Sequence, residues 1–308
     1  MLQYLVILLD DASTSYCHYS NENRESHMIP LQTLKDGIHF GMIENLMIQF
    51  VYPEGELPKE YDEVVESIDH SKIKPILDDT DVLVVNEWES LPKESNVPVV
   101  IRTSKADFFA KYKSVFPLLD KVPRVNIAFT DVDTFTDTDF EKYKNILAEF
   151  GKELESLYVD EKSPQLNLLT DRMMLTQMNN CGAGDTTITL APNGKFYVCP
   201  AFYYENEADS IGDLEHGLDI KNKQLYKLEY APICRHCEAY QCRRCIWLNR
   251  KLTLEVNTPS REQCVMAHLE RNASRELLAN IRKHGTFMPE TEIKEIDYLD
   301  PFDKRNEW

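Results

Sequence analysis

The chain has 308 residues, with 52 acidic against 34 Lys and Arg side chains, for a net charge of -18. That field repels a phosphate backbone and an anionic bilayer, so neither nucleic acid nor membrane is an expected partner. Its length provides for two domains, each with a core.

The apolar run Leu5 to Leu9 is too short to span a bilayer, has no basic leader and ends on Asp10 and Asp11. It reads as a buried strand, and the compartment as the reducing cytoplasm. Further strands are expected at Leu46 to Val51, Val82 to Val85, Val99 to Arg102 and Val125 to Phe129. Their consecutive apolar residues suit parallel strands covered on both faces. Between the first two, Leu31, Leu34, Ile38 and Met42 recur at helical spacing behind Pro30, which predicts a βαβ unit. A stripe of Phe140, Tyr143, Leu147, Phe150, Leu154 and Leu157 predicts a long helix, with Thr138 and Glu141 as its capping box. Near residue 170 the character changes, and a domain boundary is placed there. Beyond it, Thr186 to Leu190 and Lys195 to Val198 flank Asn193-Gly194, the signature of a hairpin. A last helix is expected from about Pro259 to Lys283, stopping at Gly285, before an acidic tail.

The cysteines carry the chemistry. Seven of eight follow residue 180: Cys181, Cys199, Cys234, Cys237, Cys242, Cys245 and Cys264. Two Cys-x-x-Cys grips, Cys234 to Cys237 and Cys242 to Cys245, read as metal ligands in a reducing compartment rather than as disulfides. Four thiolates suit either tetrahedral zinc or an iron–sulfur cluster. Seven sulfurs complete one such site and leave the second one ligand short. His236 and His268 lie near the series and read as neighbours of the site rather than ligands.

The order Cys181, Gly194, Cys199, then Cys234-x2-Cys237-x4-Cys242-x2-Cys245, then Cys264 resembles the SPASM domain of peptide-modifying radical S-adenosylmethionine enzymes. Cys181-Gly182-Ala183-Gly184, Pro192-Asn193-Gly194-Lys195 and Cys199-Pro200 match as well, so the likeness covers roughly residues 178 to 270. It implies two auxiliary [4Fe-4S] clusters, one on Cys234, Cys237, Cys242 and Cys264 and the other on Cys181, Cys199 and Cys245. The spacers within the Cys234 to Cys245 block are shorter than the family's, which keeps zinc as the alternative.

The resemblance also implies a radical SAM partial barrel before residue 170, and the order strand, loop, helix, strand agrees. The family's three-cysteine loop after the first strand does not appear: residues 10 to 30 hold only Cys17, beside His18. Where the family has Gly-Gly-Glu-Pro, this chain has Val51-Tyr52-Pro53-Glu54. Standard radical SAM chemistry, and S-adenosylmethionine with it, is therefore not expected. Cys17 reads as an ordinary loop thiol. Asp10 and Asp11 end the first strand, where barrels place active sites, although paired acids there are also a common solvated turn.

Through Ile48-Gln49-Phe50-Val51-Tyr52-Pro53 and Asn257-Thr258-Pro259-Ser260 the whole chain resembles the CXXX repeat peptide maturases. The fold implied is α/β: a degenerate radical SAM-type partial barrel over residues 1–170, a small Cys-rich α+β SPASM domain over 171–275, and a helix end and tail over 276–308. The function implied is maturation of a ribosomally made Cys-rich precursor peptide beside a radical SAM partner protein. The alternative is a non-catalytic module that binds the precursor or the partner enzyme, with structural zinc or iron–sulfur sites.

Overall fold

The structure, a computed structural model, describes residues 1–21, 24–178, 181–240, 242, 244–296 and 300. It divides into two compact units, each made of two stretches of chain: Met1–Val84 with Gly182–Ala231, and Val85–Cys181 with Pro232–Trp308. The Cys-rich segment after residue 170 thus contributes to both.

The first unit is built round β1 (Tyr4–Leu8), whose Leu5, Val6, Ile7 and Leu8 are all buried. This unbroken apolar run is what a strand needs when it pairs in parallel on both sides and is covered on both faces. Its neighbours are β2 (Met47–Val51) and β7 (Thr187–Leu190), with Ile7 opposite Phe50 and Leu190. Beyond β2 lie β3 (Ser71–Lys74) and the start of β4 (Val82–Val85). β8 (Phe196–Tyr197) closes the other side as the antiparallel arm of the expected hairpin, turning at Gly194 with φ +78°. β3 has no counterpart in the sequence expectations.

Helix α1 (Leu31–Ile43) packs through Leu34, Gly37 and Ile38. A Cβ at Gly37 would meet Leu190 Cδ2 at 2.3 Å, so any larger residue there would force the buried Leu190 side chain to shift as the helix approaches the sheet. The unit is completed by α2 (Lys59–Val65), α6 (Pro200–Glu205) and a small hairpin of β9 (Gly212–Asp213) and β10 (Gly217–Leu218).

In the second unit, β5 (Val99–Thr103) and β6 (Val125–Phe129) pair in parallel, as their apolar runs predict. Helices α3 (Lys105–Lys111), α4 (Asp137–Val159), α5 (Asp171–Met174), α7 (Ile246–Thr253) and α8 (Arg261–Ile281) surround them. The apolar stripe of α4 is buried from Phe140 to Leu154 with Leu157 only half-buried, and its capping box is Thr136 with Asp139, two residues before the expected pair. Lys105 explains the choice: it pairs with Asp139 at 2.8 Å and holds that carboxyl down at about 2. Helix α8 begins at a second capping box, Ser260 with Gln263. Between α4 and α8, Tyr143 donates to Glu270 at 2.6 Å in a buried contact. After α8 the chain packs back through Ile293 and Ile296, both buried. Among the described residues no helix is long and apolar enough to cross a membrane.

Candidate metal centre

Four of the expected ligands meet within the second unit. Cys234 opens a 3₁₀ turn, Cys234–His236, and the Cys237 N–H closes it on the Cys234 carbonyl at 3.1 Å. A turn this tight is how a two-residue spacer brings two sulfurs to one side. The Cys237 sulfur accepts from the Ala239 N–H at 3.4 Å, and the Cys242 thiol contacts Met178 Sδ at 3.8 Å. Cys264 arrives from the first turn of α8, whose start is fixed where Gln263 Oε1 accepts from the Ser260 N–H at 2.8 Å. Cys234, Cys237, Cys242 and Cys264 all line one cavity of about 360 Å³. Among the described residues, no three His, Cys, Asp or Glu side chains are gathered as a site for a single metal ion.

The electrostatics of this cavity are out of balance. Burial, and then the charge of Cys242, push the Cys234 thiol up to about 12, while Arg244 opposes the shift. Cys237 is raised chiefly by burial, and Cys264 by burial and then by Cys234, Cys242 and Cys237. Thiolates this close and this dry repel one another unless a cation is shared among them. Arg244 lines the same cavity, is buried, and has Nε and Nη2 without a hydrogen-bond partner among the described residues. Four sulfurs and two orphaned donors round one space fit an anionic iron–sulfur cluster. Zinc is matched by donor number, but it holds its sulfurs about 2.3 Å away and needs no cavity of this size.

The other three expected ligands are placed as follows. Cys245 is the N-cap of α7 and Cys181 is exposed, both in the second unit, whereas Cys199 is the N-cap of α6 in the first. No cysteine of the chain is in a disulfide. His236 and His268 both line the cavity. Arg244 escaped the sequence reading, because a charged residue among polar neighbours looks like surface. Met178 carried no signal at all.

In the first unit, the loop after β1 is held by hydrogen bonds among its own residues and to β2 and α6, although the buried Thr14 Oγ1 has no partner among the described residues. Asp10 is fully buried, so it is not a solvated turn; it accepts from the Ala12 N–H at 2.7 Å and from Ser26 Oγ at 2.9 Å. Ser13 Oγ accepts from the Asp10 N–H at 3.0 Å and donates to the Val51 carbonyl at 2.8 Å. The Asn21 amide donates to the Ser13 carbonyl at 2.6 Å, and the Tyr203 hydroxyl donates to Asp11. Arg24 pairs with Glu207 at 3.0 Å, and Tyr19 stacks on Tyr204 at 5.6 Å. Tyr52 is buried with Lys74 over its ring at 4.6 Å. With Cys17 as its one thiol, this loop does not fit a cluster that reduces S-adenosylmethionine.

No family model and no curated protein matches the chain. Among solved structures, hexahistidine-tagged anSMEcpe with bound AdoMet aligns over 91% of this chain and 99% of that one, with a TM-score of 0.63 and 12% identity. Native anSMEcpe with bound AdoMet and Cp18Cys peptide aligns over the same shares, with a TM-score of 0.60 and 12% identity. SuiB of Streptococcus suis, bound to precursor peptide SuiA, aligns over 76% of this chain and 66% of that one, with a TM-score of 0.41 and 11% identity. At this identity the anSMEcpe likeness establishes a shared fold, and the α/β fold class expected from the sequence is borne out.

Proposed function

We propose that this chain is a cluster-binding maturation protein for a ribosomally made, Cys-rich precursor peptide, and that it works in the cytoplasm beside a radical SAM partner protein. The observation that carries the reading is the meeting of Cys234, Cys237, Cys242 and Cys264 on one cavity with the two unmatched donors of Arg244. Those four thiolates would hold one [4Fe-4S] cluster; Cys181, Cys199 and Cys245 are assigned to a second, whose last ligand comes from outside the series. When bound, such clusters supply one-electron transfer. The chain's own residues do the rest: the Cys234–His236 turn and the first turn of α8 fix the sulfurs, and the Ala239 N–H steadies Cys237.

The peptide half of the proposal is supported by the shared fold with anSMEcpe, which was solved with bound AdoMet and Cp18Cys peptide. The net charge of -18 would favour a neutral or basic peptide. A second reading, in which the chain binds the precursor or the partner enzyme without changing a bond itself, is favoured by the loop at Asp10 to Asn21, which carries one thiol, Cys17, and in which Asp10, Ser13 and Asn21 are already hydrogen-bonded.

Anaerobic purification followed by visible absorbance and iron, sulfide and zinc analysis tests the cluster. Colourless protein with stoichiometric zinc overturns it. Incubating loaded protein with a Cys-rich precursor, reductant and S-adenosylmethionine separates the two functional readings by mass spectrometry. A mass change made by this chain alone excludes the binding-only reading.

A further inference from the structure

The position of Arg244 is not explained by the ligand assignment. It is 2% exposed, and a guanidinium keeps its charge under all ordinary conditions. Two nearby carboxylates of its unit, the buried Glu270 and the part-exposed Glu238, are already engaged. Glu270 takes Arg172 at 2.7 Å and the Tyr143 hydroxyl, and Glu238 takes Lys294 at 3.0 Å and Arg271 at 3.6 Å. Arg244 instead lines the four-cysteine cavity within hydrogen-bonding reach of Cys234, with two further donors, Nε and Nη2, unmatched among the described residues. A buried charge with unmatched donors is strongly unfavourable, so the complement of this one belongs in the space it lines.

We infer that Arg244 is the fixed counter-cation of the cluster held by Cys234, Cys237, Cys242 and Cys264, placed to favour both assembly of the cluster and its one-electron reduced state. The inference rests on the cluster reading above and adds to it a residue that ligates nothing. A cation beside the cluster offsets the thiolate charge on assembly, and it offsets one further negative charge when dithionite delivers an electron to the iron. Donors directed at sulfur also raise a cluster's potential.

The test compares wild-type protein with Arg244→Gln and Arg244→Lys after anaerobic iron and sulfide reconstitution. Iron and sulfide per chain, dithionite redox titration followed by electron paramagnetic resonance, and circular dichroism to confirm folding are the readouts. Arg244→Gln is expected to hold a cluster roughly tenfold harder to reduce, a midpoint about 59 mV more negative for one electron, and Arg244→Lys to recover most of the difference. A folded Arg244→Gln protein that loses iron while Arg244→Lys keeps it supports the same role. Equal iron content and equal midpoints in all three proteins overturn the inference, as does equal iron loss in both variants. A wild-type protein that takes up no iron overturns the cluster reading itself, which the first measurement of the series reports separately.

Discussion

The loop after β1 and the four-cysteine cavity differ in one decisive respect. In the loop, Asp10, Ser13, Asn21, Arg24 and Tyr203 give their hydrogen bonds to one another and to nearby backbone. In the cavity, four thiols face a guanidinium that keeps two donors unmatched among the described residues. Buried polar groups are ordinarily satisfied, so a network that closes on itself leaves a ligand little to bind. One that stays open indicates where a ligand belongs. On this comparison the loop leaves one buried hydroxyl, Thr14 Oγ1, unmatched among the described residues, whereas the cavity leaves two donors of a buried charge.

The largest effect that would sharpen the contrast lies within the second unit. Arg172 and Arg244 are both buried, but Arg172 has Glu270 at 2.7 Å. Glu270→Gln strands a buried charge and is expected to lower the unfolding free energy by about 3–5 kcal/mol. Arg244→Leu in metal-free protein removes a charge two of whose donors are already unmatched among the described residues, and is expected to leave stability unchanged or raise it. Denaturant unfolding measures both, and a comparable loss in the two variants would break the distinction.

A smaller effect is expected in the loop. Asp10→Ala leaves the Ala12 N–H and Ser26 Oγ without their acceptor, at a cost of about 1–3 kcal/mol. Faster hydrogen exchange at Ala12 and Ile29 would report it, and calorimetry should show no gain of S-adenosylmethionine binding. The smallest effect belongs to the hairpin. Gly194→Ala forces a side chain into φ +78° and is expected to cost about 1 kcal/mol. Any iron lost should come from the second cluster, whose Cys199 follows that hairpin, because none of the four cavity thiols lies in it.

Much of this arrangement was legible in the sequence, for physical reasons that also mark where the reading stopped. Strands such as β1 and β6 are apolar enough to declare themselves. β3 is not: its Lys72 is buried only because Glu66 and Asp79 reach it at 2.5 and 2.6 Å, a tertiary rescue that no local pattern encodes. The hairpin at Gly194 was legible, but its parallel pairing with β1 joins residues far apart in the chain. The helix cap was misplaced because two overlapping Thr-to-acid pairs competed and Lys105 selected the first. At the metal centre, the spacing of the cysteines was readable because turn geometry is local. The burial of Arg244 was not, since it depends on the packing of the whole unit.

The most direct test of the central claim is the iron and sulfide content of anaerobically reconstituted wild-type and Cys264→Ala protein. Cys264 is the proposed ligand that the fold of α8 brings to the cavity of Cys234, Cys237 and Cys242. The account predicts that the variant loses one cluster, about four iron and four sulfide per chain. Unchanged iron in the variant, or zinc in place of iron in the wild type, would contradict it.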